Sequence, residues 1–170
     1  MTTLFKGRLK SGSFEMVCLF DAEGRLLHLH FAPEPGRHFF LRFQKYVGRF
    51  KEKEAPFSWE GALQKVLEGY FSGRLKRPSF PLLLLGTPFE KQVWEIVKSI
   101  PYGEVRTYSW VAERLGNPGA RRAVGRALAA NPVPIFVPCH RIVARHGPGG
   151  FSQGLKIKRK LLLLEGALRQ

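Results

Sequence analysis

The stretch Asn131-Pro-Val-Pro-Ile-Phe-Val-Pro-Cys139-His140-Arg141 sets a thiol beside an imidazole on a chain stiffened by three prolines. Proline fixes φ and favours an extended path, which suits a nucleophile that must sit at a fixed depth in a pocket. Cysteine attacks as its thiolate, and a neighbouring base or positive charge lowers its pKa. Adjacent residues on an extended chain point opposite ways. His140 is therefore expected to reach Cys139 through a water or a bend. A Cys-His pair alone is weak evidence, and metal binding would need further ligands that do not occur nearby. The other cysteine, Cys18, lies in the apolar run Met16-Val-Cys-Leu-Phe20 and reads as an inert core thiol. Two distant cysteines do not make a disulfide-stapled secreted fold.

A second chemistry is carried by charge. The net charge is +15 and the pI about 10.4, which calls for a polyanionic partner, nucleic acid first. From Gly86 onward there are 14 Lys and Arg against 5 Asp and Glu; the first 85 residues hold 14 against 8. In the second half, a helix is expected from about Pro118 to Ala130. Ala120, Ala123, Val124, Ala127 and Leu128 would face the core, leaving Arg121, Arg122, Gly125, Arg126 and Ala129 outside. Arg supplies phosphate contacts and enters grooves. The small residues let the backbone approach a sugar-phosphate wall. The face lacks the Asn and Gln that read bases in the major groove, so binding should follow shape more than sequence.

Several elements must position these groups. Strands are expected over Leu4–Lys10, Phe14–Phe20 and Arg25–Phe31, with Asp21 to Gly24 as a turn. Leu27, Leu29 and Phe31 would share one face of the third strand, and His28 and His30 the opposite, solvated face. Helical spacing runs over Arg37–Phe50 (Phe39, Phe40, Phe43, Tyr46, Val47) and Trp59–Phe71, and Pro81–Leu85 reads as a short buried strand or an extended segment. A boundary falls near Gly86, giving an α/β domain over 1–85 and a mostly helical domain over 86–170. Thr87-Pro-Phe-Glu90 is a capping-box start for a helix lined by Val93, Ile96, Val97 and Ile100. Thr107 can cap the next helix, and Gly116-Asn-Pro118 breaks it. Helix, glycine turn, helix is the order of a helix-turn-helix, and also of an ordinary helical hairpin. A last helix is expected over Leu155–Leu164, stopped by Gly166. No run reaches the length of a membrane span, and the N-terminus has no signal-peptide core. The expectation is therefore a cytoplasmic protein, or a nuclear one in a eukaryote.

Gly86 to Gly166 resembles the O6-alkylguanine-DNA alkyltransferases. The matching pieces are Gly86-Thr-Pro-Phe-Glu-Lys-Gln-Val-Trp94, Ile100-Pro-Tyr-Gly-Glu-Val-Arg-Thr-Tyr108, Gly116-Asn-Pro118, Arg122-Ala-Val-Gly125, Asn131-Pro132, Pro138-Cys-His-Arg141, Gly150-Phe-Ser-Gln-Gly154, and Leu161-Leu162 with Glu165-Gly166. The resemblance implies a ribonuclease-H-like α/β domain followed by a winged-helix or helix-turn-helix domain. It implies irreversible transfer of a methyl or other alkyl group from O6-alkylguanine, with O4-alkylthymine as a further substrate, in a base flipped from the minor groove. Cys139 would be the acceptor, His140 its base through a water, and Glu165 the group that orients His140. Asn131 would be the hinge and Tyr108 the residue beside the flipped nucleotide. Arg122 would fill the vacated stack, with Arg121, Ala123, Gly125, Arg126 and Thr107 on the DNA. Ile142 through its carbonyl, Ser152 through its amide, and Phe151, Lys158 and Arg141 would form the substrate pocket. Phe151 stands where many members have Tyr, which keeps stacking and loses a hydroxyl, and the loop from His140 to Phe151 is slightly short.

The implied partner is double-stranded DNA carrying O6-alkylguanine, met by a monomer with no required protein partner. A thioether cannot be cleaved by a Cys-His-Glu site, so each molecule acts once, and no cofactor is called for. Cys18, His28 and His30 are the only plausible zinc ligands in the first half, without a second Cys, so no metal is expected. Two alternatives within DNA binding remain: a lesion binder that does not transfer, and a helix-turn-helix regulator with an incidental cysteine. A Cys-His hydrolase turning over an acyl substrate is a third.

Overall fold

The computed structural model describes residues 1–32 and 37–168, and only the backbone of 37–40. The chain divides into two compact units, Met1–Leu85 and Gly86–Gln170.

In the first unit, β1 (Thr2–Ser11), β2 (Phe14–Phe20) and β3 (Leu26–Phe31) form an antiparallel meander, and β4 (Phe50–Glu54) adds in parallel beside β1, giving the order β3-β2-β1-β4. Gly12, at φ 57°, makes the tight turn between β1 and β2. Asp21 Oδ1 accepts from the amides of Glu23 and Arg25 and closes the next turn. Helix α1 (Arg37–Val47) brings Phe43 onto one sheet face, where it meets Leu4, Leu19 and Leu27. Helix α2 (Phe57–Phe71) covers the other face, where Trp59 packs edge-on to Phe5 and tilted against Phe20.

Four expectations change. His28 and His30 are not solvated: each is 3% exposed, with His28 Nε2 and His30 Nδ1 2.6 Å apart. The reason is that α1 covers that face, so both sides of β3 are closed, and a bulge opposite Leu19 and Phe20 turns Leu27 into the α1 cluster. The helix expected to reach Phe50 stops at Val47, with Gly48 at φ 70° ending it, and the chain continues as β4. Lys-Glu alternation hides β4, because only Phe50 is apolar. Pro81–Leu85 is the extended segment rather than the buried strand: Pro81 is exposed, Leu82 to Leu85 are half-buried, and a single bridge joins Leu82 to Leu26. The side chains of Phe39 and Phe40 lie outside the described residues.

In the second unit, α3 (Pro88–Lys98) starts at a complete capping box: the Glu90 amide donates to Thr87 Oγ1 and the Thr87 amide to Glu90 Oε2. Two-residue strands β5 (Arg106–Thr107) and β6 (Ile142–Val143) pair in parallel. Helix α4 (Tyr108–Arg114) is capped by Thr107, and α5 (Arg121–Ala129) follows after a turn. It begins three residues later than expected because Pro118 and Gly119 belong to the turn, whose Ala120 amide donates to the Asn117 carbonyl. Helix α6 spans Leu155–Leu164. Trp94 on α3 is fully buried and donates from Nε1 to the Ala127 carbonyl at 2.8 Å. That carbonyl is one of the last four of α5, which have no partner within the helix. No helix among the described residues is long and apolar enough to cross a membrane.

Candidate active site

Every residue from Asn131 to Ile142 is buried. The chain here is not extended as expected. Ile135 takes φ 77°, rare for a β-branched residue, Pro134 bridges Val137, and Cys139–Arg141 form a turn of 3-10 helix. Proline stiffens the segment, but as a folded loop, because its polar groups find partners inside it. Asn131 is the knot: its Oδ1 accepts from the Val133 amide at 3.0 Å, and its Nδ2 donates to the Val137 carbonyl at 2.8 Å and to Cys139 Sγ at 3.0 Å.

Cys139 lines a cleft of about 280 Å³ together with Tyr108, Gly125, Leu128, Ala129, Gly150, Phe151 and Ser152. Burial pushes its thiol up to about 11; the Asn131 hydrogen bond, the Lys158 charge and the amides of Cys139 and His140 oppose that rise. The thiol is thus protonated at neutral pH and must lose its proton as it reacts. The 3-10 turn buries His140 completely, outside the cleft lining. Its Nε2 lies 2.8 Å from Glu165 Oε2, and its Nδ1 is buried with no hydrogen-bond partner among the described residues. Burial, then the charges of Arg141 and Lys158, lower the pKa of His140 against the pull of Glu165. A neutral imidazole with a free lone pair is a base.

The other expected residues are placed as follows. Glu165, at the end of α6, accepts from Arg141 as well as from His140, and from the Gly103 amide at 3.3 Å. Arg141 does not line the cleft, where the sequence reading put it; it sits behind, on Glu165 and the Ile100 carbonyl. Lys158 is 1% exposed and donates to the carbonyls of Ile142 at 2.5 Å and Gly150 at 2.9 Å, so the Ile142 carbonyl already has a donor. Tyr108 Oη accepts from the Gly150 amide at 3.0 Å. A side chain at Gly149 would meet that hydroxyl at 2.6 Å.

Tyr108 also lines a groove of about 640 Å³ with Thr107, Ser109, Glu113, Arg121, Arg122, Ala144 and Arg145. Gly125 belongs to the cleft, while half-buried Ala123 and exposed Arg126 are in neither lining. Sequence reasoning missed Leu128, Ala129 and Arg145, and the Ile100 and Gly103 main-chain groups. Of these, Arg145 was visible as a basic residue in a glycine-rich loop, and Gly103 as a turn glycine.

Residues 88–167 match the family model described as 6-O-methylguanine DNA methyltransferase, DNA binding domain. A methylated-DNA–protein-cysteine methyltransferase of Methanosarcina acetivorans is 47% identical over 134 residues, covering 75% of this chain and 86% of that protein. The O6-methylguanine-DNA methyltransferase of the hyperthermophilic archaeon Pyrococcus kodakaraensis superposes with a TM-score of 0.73 at 32% identity, over 98% of this chain and 99% of that one. Mycobacterium tuberculosis OGT in complex with DNA gives 0.76 at 33% identity, over 96% and 92%.

Proposed function

Because the chain belongs to the methylated-DNA–protein-cysteine methyltransferases, we propose that it clears O6-alkylguanine from duplex DNA by taking the alkyl group onto Cys139. The observation that carries this reading is a thiol lining a cleft, followed in the chain by a buried His140 that is held by Glu165.

A base flipped out of the duplex enters the cleft between Tyr108 and the Gly150–Ser152 loop, and Phe151 stacks on it. The duplex lies in the groove with Arg121, Arg122, Arg145 and Thr107 on its backbone. Arg122 fills the gap left in the stack. The Cys139 proton passes through a water to His140 Nδ1. Sulfur attacks the alkyl carbon, the carbon–O6 bond breaks, and its electron pair leaves with the guanine, which takes a proton in turn. Tyr108 hydrogen-bonds the base and eases that departure. The product is a thioether that nothing in the site can cleave, so one molecule removes one lesion. The scheme needs neither a second copy nor a cofactor.

Residues 86–170 perform binding and transfer in this reading. A winged-helix assignment for them is supported by α4, α5 and the β5–β6 pair, and a ribonuclease-H-like assignment for 1–85 by a sheet with a helix on each face. Mass spectrometry of the protein mixed with duplex containing O6-methylguanine tests the proposal. One methyl on Cys139 is expected, and none in Cys139→Ser. Tight binding with unchanged mass would favour a lesion binder that does not transfer.

A further inference from the structure

Resting on that reading, we infer that Arg141 is a positioning residue of the transfer: its buried cation holds Glu165 as an ionised acceptor, which leaves His140 uncharged, with its proton on Nε2 and its lone pair on Nδ1. Both carboxylate oxygens of Glu165 accept from Arg141, Oε1 from Nε at 2.8 Å and Oε2 from the guanidinium terminus at 2.9 Å. The other terminal nitrogen donates to the Ile100 carbonyl at 2.7 Å, and the Tyr102 ring lies 5.8 Å from the guanidinium carbon. Arginine has only donors and stays charged, so Glu165 has no need of a second cation. Oε2 can then take a hydrogen bond from a neutral imidazole, which puts the His140 proton on Nε2 and frees Nδ1.

The charged and titratable groups around His140 are Cys139 and Arg141 on its own turn and Lys158 and Glu165 on or beside α6; Tyr102 lies next to Arg141 and Glu165. Arg141 and Lys158 act against a proton on His140, and Glu165 acts for it. Without the Arg141 cation, Glu165 would draw a proton onto His140, and the base would be lost as pH falls. The plain alternative is a buried strut from α6 to the end of α3.

Side-chain ¹⁵N NMR of His140 in the intact protein separates the two. The neutral, Nε2-protonated form is expected in wild type from pH 8 to pH 6, and in Arg141→Lys, which keeps the charge. In Arg141→Met the imidazolium should take over in that range. Transfer to Cys139, followed by mass, should then lose about tenfold more relative to wild type at pH 6 than at pH 8. The inference is overturned if Arg141→Met keeps the wild-type His140 spectrum and a parallel pH profile, however slow. It is equally overturned if Arg141→Lys shifts the profile. Should the Met variant not fold, a wild-type spectrum showing Nδ1–H or imidazolium at pH 8 overturns it. Absence of methyl on wild-type Cys139 would instead count against the proposed function, and the His140 spectra would still judge Arg141.

Discussion

Cys18 and Cys139 are both buried, and burial raises both thiols, to about 12 and about 11. What differs is the company each keeps. Cys18 faces a coulombic push from Glu60 and gains one backbone hydrogen bond. Cys139 has an amide donor from Asn131, two main-chain donors and an ammonium, all stabilising a thiolate once its proton has a destination. The ammonium, Lys158, shows the cost of such an arrangement. Burial lowers its pKa from 10.5 to about 8, so between those values the unfolded chain binds more protons than the folded one. Stability conferred at this position must therefore rise with pH across that window. The expected outcome is that the urea-midpoint difference between wild type and Lys158→Met moves in favour of wild type from about pH 8 to about pH 10. A difference that is flat with pH would mean the amine stays charged when folded.

At the scale of elements, α5 links the groove and the cleft. Arg121 and Arg122 on its first turn line the groove, and Gly125, Leu128 and Ala129 wall the cleft. Trp94 pins its far end through Ala127. Arg122→Ala should thus slow transfer from duplex DNA by about tenfold or more while leaving reaction with free O6-benzylguanine nearly unchanged, since only the duplex must be opened; rates on both substrates measure this, and equal losses would contradict the role. The same helix shows how far sequence goes. Its apolar stripe and basic face were legible because they repeat at helical spacing, as was the capping box at Thr87. What stayed hidden depended on neighbours distant in the chain. The burial of His28 and His30 comes from α1 closing over a face that alternation alone assigns to solvent. The fork of Arg141 on Glu165 joins residues 24 apart, and the resemblance implied a pocket residue instead. The left-handed Ile135 and the folded path of the proline segment follow from hydrogen bonds to Asn131, which proline stiffness does not report.

For the molecule as a whole, the surplus of positive charge makes DNA binding an ion-exchange event. Each phosphate neutralised releases condensed counterions, and several such contacts lower affinity for undamaged duplex by about a hundredfold or more between roughly 50 and 200 mM salt. Fluorescence anisotropy at graded salt should show this slope, with reaction on free O6-benzylguanine almost insensitive to it. A shallow slope would mean that the basic surface is solvent-facing ornament. A molecule used up at its first success must also be stocked in number, which puts a limit on self-association. One edge strand of the first unit's sheet is β4, whose Lys51, Glu52, Lys53 and Glu54 are all exposed. Alternating charge there denies a second sheet an apolar rail to dock on, so crowding many copies together need not drive them into fibrils or clumps.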